Sequence, residues 1–165
     1  MITADSVLAI FTWLKENGIT IWIDGGWSVD ALIGKQTREH DDLDIAVHRK
    51  DNVKLRKLLE SNGYTEEKRF DSSEFMYVMV SEPGISIDVH VFEYDKDRNN
   101  TYGIKYPFGS LTGTGTINGQ SVNCIDPAFM LQFKTGYEPK EKDLMDIRAL
   151  CEKYGFKRTD INETV

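Results

Sequence analysis

Trp22-Ile23-Asp24-Gly25-Gly26-Trp27-Ser28-Val29-Asp30, followed by Arg38-Glu39-His40-Asp41-Asp42-Leu43-Asp44-Ile45, is the stretch on which the fold turns. Its first half reads as a short strand, Thr20 to Asp24, broken by two glycines and followed by a short helix from Trp27 to Ile33 that Gly34 closes. Its second half alternates. Over residues 42–48, Leu43, Ile45 and Val47 fall on one side of a strand, and Asp42, Asp44 and Ala46 on the other. Acids two positions apart on a strand share a face, with Cα atoms about 6–7 Å apart. They can share a hard divalent cation, or bridge two cations at the roughly 3.5–4 Å spacing that suits in-line displacement at phosphorus. Like charges on one strand face repel, and a cation removes that penalty. The spacing alone leaves a second reading open, a solvated outer face of an edge strand.

The glycine pair also has two readings. A strand that ends in two glycines before a helix lets backbone N–H groups approach a phosphate, and the helix N-terminus adds partial positive charge. A bare Gly-Gly is equally an ordinary tight turn. The stretch matches neither the P-loop nor the dinucleotide fingerprint.

Working outward, residues 3–17 read as a helix with Val7, Ile10, Phe11 and Leu14 on one face, capped by Thr3 or Asp5 and stopped at Gly18. Downstream of the paired acids, a helix runs from about Asn52 to Asn62, with Leu55, Leu58 and Leu59 inward. Two strands follow, Glu74–Ser81 and Ile85–Tyr94, joined at Pro83-Gly84. In the second, Ser86, Asp88 and His90 share one face against Ile85, Ile87, Val89 and Val91. Asp88 is then an outer-face residue, or, if this strand neighbours the Asp42/Asp44 strand, the third acid of a cluster. In that place it could ligate a metal and accept a proton from an attacking hydroxyl.

Residues 95–113, rich in Asp, Asn, Gly and Tyr, read as a long loop. Asn118-Gly119 between 114–117 and 120–125 is a two-residue hairpin signal. Asp126-Pro127 opens a helix, and a last helix runs from Pro139 or Lys140 to Tyr154 with Leu144, Ile147, Cys151 and Tyr154 as its buried stripe. The element order predicts an α+β domain with a mixed sheet flanked by helices, occupying 1–165, with the helices of about 126–157 packed on it.

Bulk properties exclude several classes. A length of 165 residues suits one domain with a real core. A net charge of −7 argues against a nucleic-acid binder, which needs a basic stripe. No stretch is long and apolar enough to span a membrane, and the N-terminus lacks a basic leader and cleavage site. Cys124 and Cys151, far apart and without companion ligands, suggest reduced, buried thiols in a cytoplasmic setting.

Taken together, the glycine pair opening a short helix, Asp-Leu-Asp on the next strand and a third acid on a later strand resemble the polymerase-β-like nucleotidyltransferase superfamily. The fuller text, with Arg38, His40, Gly136-Tyr137 and Glu141-Lys142-Asp143 leading to Asp146-Ile147, is most similar to the short lincosamide nucleotidyltransferases, with aminoglycoside 2″-adenylyltransferases next. The resemblance implies magnesium-dependent transfer of a nucleoside monophosphate, AMP from ATP or another NTP, onto a hydroxyl of a lincosamide antibiotic. The alternatives are an aminoglycoside acceptor, or an antitoxin-type enzyme acting on a protein. By resemblance, Asp42 and Asp44 hold the catalytic Mg2+ and the metal that travels with the triphosphate. Asp88 is a metal ligand, the general base, or both. Gly25 and Gly26 cradle the β- and γ-phosphates, and Lys142 neutralises the triphosphate. Arg38 and His40 could contact phosphate; a solvated Arg38, and a His40 that orients Asp42 or packs against the turn, are the alternatives. A homodimer is an expectation only, since a chain this short can need a partner to complete its acceptor cleft.

Overall fold

A computed structural model describes residues 1–157; residues 158–165, the end of the expected domain, lie outside the described residues. Helix α1 (Ala4–Glu16) is capped by Thr3, whose hydroxyl accepts from the Ser6 N–H. Strand β1 (Ile21–Ile23) leads into α2 (Gly25–Ile33), and β2 (Asp42–His48) into α3 (Arg49–Ser61). Then come β3 (Tyr64–Glu67), β4 (Met76–Ser81), β5 (Ser86–Tyr94), β6 (Asn100–Gly103), the hairpin β7 (Gly113–Ile117) and β8 (Gln120–Cys124), and helices α4 (Pro127–Thr135) and α5 (Glu141–Tyr154). The mixed sheet runs β3-β4-β5-β2-β1-β8-β7, with β6 also paired to β5. The β2–β5 and β1–β8 pairs are parallel and the others antiparallel.

The two faces of the sheet are distinct. Tyr77 lies opposite Val89, which in turn lies opposite Ile45, and the Tyr77 hydroxyl donates to Asn52 of α3 at 2.7 Å. That face therefore carries α3, with Leu55 and Leu59 fully buried against the core. Asp44 and Asp88 point from the opposite face, as the alternation requires.

Several boundaries differ from the sequence reading. Helix α2 starts at Gly25 rather than Trp27, because the Asp24 carboxylate caps it by accepting from the Gly25 N–H at 2.7 Å. The glycines thus form the first helical turn rather than a break before it. Helix α3 starts at Arg49, with His48 as its cap. The 95–113 segment contains β6 and a single 3-10 turn at Ser110–Thr112, so it is no continuous loop. Strand β3 was not expected, since Tyr-Thr-Glu-Glu lacks apolar alternation and its pairing to β4 alone places it at the edge. The hairpin stands as read: Asn118 and Gly119 take φ of 46° and 77°, the left-handed pair that a tight two-residue turn needs.

The buried face of α5 is rotated from the expected stripe. Leu144 is 49 % and Tyr154 38 % exposed, while Asp143, Asp146 and Leu150 are buried. Ile147 and Cys151 are only partly buried against the core. The rotation follows from charge: Arg38 and Lys134 lie beneath this helix and need carboxylate partners. Cys124 is buried and Cys151 half-buried, and they form no disulfide. Burial pushes the Cys124 thiol up to about 12.

Candidate active site

The site forms where β1 gives way to α2 and where β2 lies beside β5. In the parallel β2–β5 pair, Asp44 is directly opposite Asp88 and Asp42 opposite Ser86. Adjacent strands are about 4.8 Å apart, so Asp42, Asp44 and Asp88 share one sheet face as neighbours. Asp41 stays exposed, outside this face.

The glycines have steric reasons beyond a turn. Gly25 enters α2 with φ +59°, and a Cβ there would overlap the Asp44 carboxylate. A Cβ on Gly26 would overlap Arg38 and the His40 ring. The backbone of this turn is therefore packed directly against the side chains expected to act.

Asp44 carries the strongest electrostatic strain. Burial pushes its carboxyl up to about 7; the charges of Asp24, Asp42 and Asp88 add to this, and His90 partly offsets it. Asp88 is raised by burial and by Asp42, against the pull of Arg69. One Asp88 oxygen accepts from Arg69 Nη1 at 3.2 Å, while the other, Oδ1, is buried with no hydrogen-bond partner.

Asp24, the acid before the glycine pair, is a fourth acid here and is buried. Its Oδ2 accepts from the Tyr106 hydroxyl at 2.5 Å and lies 3.5 Å from His90 Nδ1. Burial alone would raise its carboxyl, but His90, Tyr106 and the Gly25 N–H together hold it below the ordinary value. Burial works against a charged His90, yet its bond to Asp24 and the charges of Asp24, Asp44 and Asp88 prevail, so its pKa is raised.

His40 is buried, and its Nε2 donates to Asp30 Oδ2 at 2.5 Å with its ring 4.6 Å from that of Trp27. Its ring packs against the glycine turn, one of the roles weighed for it, and it also lines the polar cleft. Asp30 is buried and gathers His40 with the Thr37 N–H and hydroxyl. Arg38 is not a solvated surface residue. Its Nε and Nη2 form a fork on Asp146 at 2.9 and 3.0 Å, and Nη1 donates to the Glu39 carbonyl.

Lys134 escaped the sequence reading. It is 7 % exposed, with Nζ 2.9 Å from Asp146 and 3.1 Å from Asp143. The available signal was a lysine inside the apolar run of α4, matched by acids three apart on the next helix. Asp146, fully buried, therefore joins two cations, one from the segment before β2 and one from α4.

Most of the charged groups line two joined cavities, while Asp88 lines neither. A polar cleft of about 560 Å3 has Gly26, Arg38, His40, Asp42, Lys140 and Lys142 among its walls. Lys142 itself is exposed on the first turn of α5. A second, largely apolar cavity of about 330 Å3 is walled by Ile104, Tyr106, Met130 and Phe133. The two meet at Gly25, Asp44, Lys134 and Tyr137. Glu74, Glu93 and Tyr102 lie elsewhere, gathered with Arg49 towards the far end of β5. Trp27 is core, and Trp13 and Trp22 pack against it in part.

Among the described residues, no three acid, histidine or cysteine side chains are closed around a single point. The donors nevertheless fit a hard divalent cation: they are carboxylate oxygens, one is buried without a partner, and Asp44 is crowded by acids that His90 only partly offsets.

A family sequence profile described as aminoglycoside-2″-adenylyltransferase matches residues 6–150. The chain belongs to the aminoglycoside-2″-adenylyltransferase family. It is 34 % identical to a lincosamide resistance protein of Staphylococcus haemolyticus over 149 residues, covering 87 % of this chain and 89 % of that one. The crystal structure of a lincosamide antibiotic adenylyltransferase with lincomycin bound superposes with a TM-score of 0.76 at 28 % identity, over 90 % of this chain and 96 % of the other. ANT(2″)-Ia in complex with adenylyl-2″-tobramycin superposes with the same TM-score at 21 % identity, over 92 % and 89 % of the two chains, and shares the fold. This member of the adenylyltransferase family is thus a nucleotidyltransferase with the nucleotidyltransferase fold. None of its described helices is long and apolar enough to cross a membrane.

Proposed function

We propose that this chain transfers AMP from ATP, with Mg2+, onto a hydroxyl of a lincosamide antibiotic. The observation that carries the transferase chemistry is the register that sets Asp44 beside Asp88, against the Gly25 turn. The choice of a lincosamide rests on the near full-length relative of that name and on the likeness to the lincomycin-bound enzyme.

Asp42 and Asp44 would hold Mg2+, which, when bound, supplies charge stabilisation on the attacking and leaving oxygens. The protein's own groups do the remainder. Gly25 and Gly26 at the first turn of α2, with Lys142, Lys134 and Arg38, line the polar cleft and suit the β- and γ-phosphates. Asp146 and Asp143 keep Lys134 and Arg38 in place before the nucleotide arrives. Asp88 Oδ1 accepts the proton of the attacking hydroxyl. A bond then forms from that oxygen to the α-phosphorus, the bond to the bridging oxygen breaks, and pyrophosphate leaves. The raised pKa of Asp88 makes it a better proton acceptor than an ordinary carboxylate.

The family profile favours a second reading, in which the acceptor is an aminoglycoside. Incubation with ATP, Mg2+ and either lincomycin or tobramycin, read by mass spectrometry, separates the two. An AMP adduct on lincomycin alone supports the proposal; an adduct on tobramycin alone replaces it with the second reading.

A further inference from the structure

Arg69 lines neither of the two joined cavities, and it makes the hydrogen bond that holds Asp88. It lies on the segment between β3 and β4. Its Nη1 donates to Asp88 Oδ2 at 3.2 Å and its Nε to Glu67 Oε1 at 3.0 Å. The segment is folded to deliver it. The Arg69 N–H donates to the Ser72 hydroxyl at 2.8 Å, and the Ser72 N–H returns to the Arg69 carbonyl at 3.1 Å. Ser73 and Met76 close the end of the segment with a second reciprocal pair. Turning Arg69 towards the sheet leaves the next residue, Phe70, wholly exposed at 103 %, an arrangement that burial of apolar surface alone would not select.

A small cavity of about 140 Å3 lies between this segment and the sheet, with Arg69, Asp71, Met76, Asp88 and His90 among its walls. It reaches Asp88 from the β4 side, whereas Asp44 flanks Asp88 on the β2 side. The two oxygens of Asp88 are consequently unequal: Oδ2 is taken by Arg69, and Oδ1 is buried with no partner. An arginine offers a fixed planar fork, and here Glu67 holds one edge of the fork while the other grips the aspartate.

The geometry points to Arg69 as the positioning residue for Asp88: by holding Oδ2 it fixes the carboxylate rotamer and leaves Oδ1 without a competing partner. This rests on the role proposed above for Asp88. Arg69 itself touches neither nucleotide nor acceptor. Its effect therefore falls on turnover rather than on ATP binding, and it depends on the bond to Asp88 rather than on the fold.

The test compares Arg69→Ala, Arg69→Lys and Glu67→Gln with the wild-type chain, using ATP, Mg2+ and lincomycin or tobramycin as acceptor. Loss of an orienting partner of this kind costs about 10–100-fold in activity. We expect Arg69→Ala to lower kcat by that factor with the KM for ATP unchanged, Arg69→Lys to recover part of the loss, and Glu67→Gln to fall between wild type and Arg69→Ala. Turnover by Arg69→Ala at or above the wild-type level overturns the inference, as does a loss matched by equal weakening of ATP binding. A second readout needs no turnover: a crystal structure of Arg69→Ala should show Asp88 rotated or spread over rotamers, and an unmoved Asp88 overturns the inference. Should the wild-type chain modify neither drug, the proposed function fails while the Asp88 rotamer still decides the role of Arg69.

Discussion

The backbone of Gly25 lies so close to the carboxylate of Asp44 that a side chain on Gly25 would force one of the two to shift: a Cβ there would overlap Asp44 Oδ2. The glycine is also left-handed, with φ +59°, which disfavours other L-residues. The first turn of α2 and the acid on β2 therefore form one packed unit, and each limits where the other can go.

Gly25→Ala is accordingly expected to displace Asp44 and to strain the turn. We predict a loss of pyrophosphate release of about 100-fold, the scale of a misplacement near 1 Å in a reacting constellation. The left-handed backbone adds a destabilisation of about 1–2 kcal/mol. Steady-state kinetics and urea denaturation measure the two effects separately. Near-normal kinetics in Gly25→Ala would mean that the contact with Asp44 does not matter.

Asp44 gives a pH prediction. Its carboxyl titrates at about 7 in the folded chain against an ordinary 3.8, so the folded state holds the proton more tightly than the unfolded one. Stability then falls as pH rises through that window and levels off above it. Asp44→Asn removes the cost. Without divalent cations, this variant should melt several degrees above wild type at about pH 8 and close to it at about pH 4. Mg2+ with ATP should raise the wild-type melting temperature and leave the variant's unchanged. Thermal melts at the two pH values, with and without these additions, check both statements.

The paired cations give a contrast between a buried and an exposed residue. Asp146 is fully buried and partners both Arg38 and Lys134. Asp146→Ala strands Arg38 and leaves Lys134 with Asp143 alone, and we expect it to cost about 3–5 kcal/mol in urea denaturation. Lys142 is exposed, so Lys142→Ala should leave stability within about 0.5 kcal/mol of wild type. Its effect should appear instead in the KM for ATP, raised about tenfold by loss of one charged contact. A Lys142→Ala chain with an unchanged KM for ATP would remove that residue from the nucleotide site.

The difference between these two lysines shows what was legible in the sequence. Asp42, Asp44 and Asp88 could be read because strand alternation has a period of two and says which acids share a face. Strand β2 emerges with the expected bounds, 42–48. Lys142 could be read only by resemblance. Lys134 left only a weak signal, a lysine within an apolar helix, because its place is set by long-range pairing with α5. The same pairing turned α5 so that Asp143 and Asp146 faced inward, and charge complementarity overrode the apolar stripe expected from Leu144 to Tyr154. The hydrogen bonds that fix Asp30, His40 and Arg69 were hidden for a similar reason. Each residue is fixed by a partner 7 to 19 residues away across a loop or strand, through a hydrogen bond rather than a periodicity.

Pyrophosphate release by folded Asp42→Asn and Asp44→Asn chains, supplied with ATP, Mg2+ and lincomycin, tests most directly whether this acidic face carries the chemistry. The substitutions keep side-chain shape, and cooperative melting verifies the fold. We predict that each lowers the rate by about 100-fold or more, the scale expected when a group acting on the reacting atoms is lost. Turnover at the wild-type rate in either chain would contradict the assignment of these carboxylates.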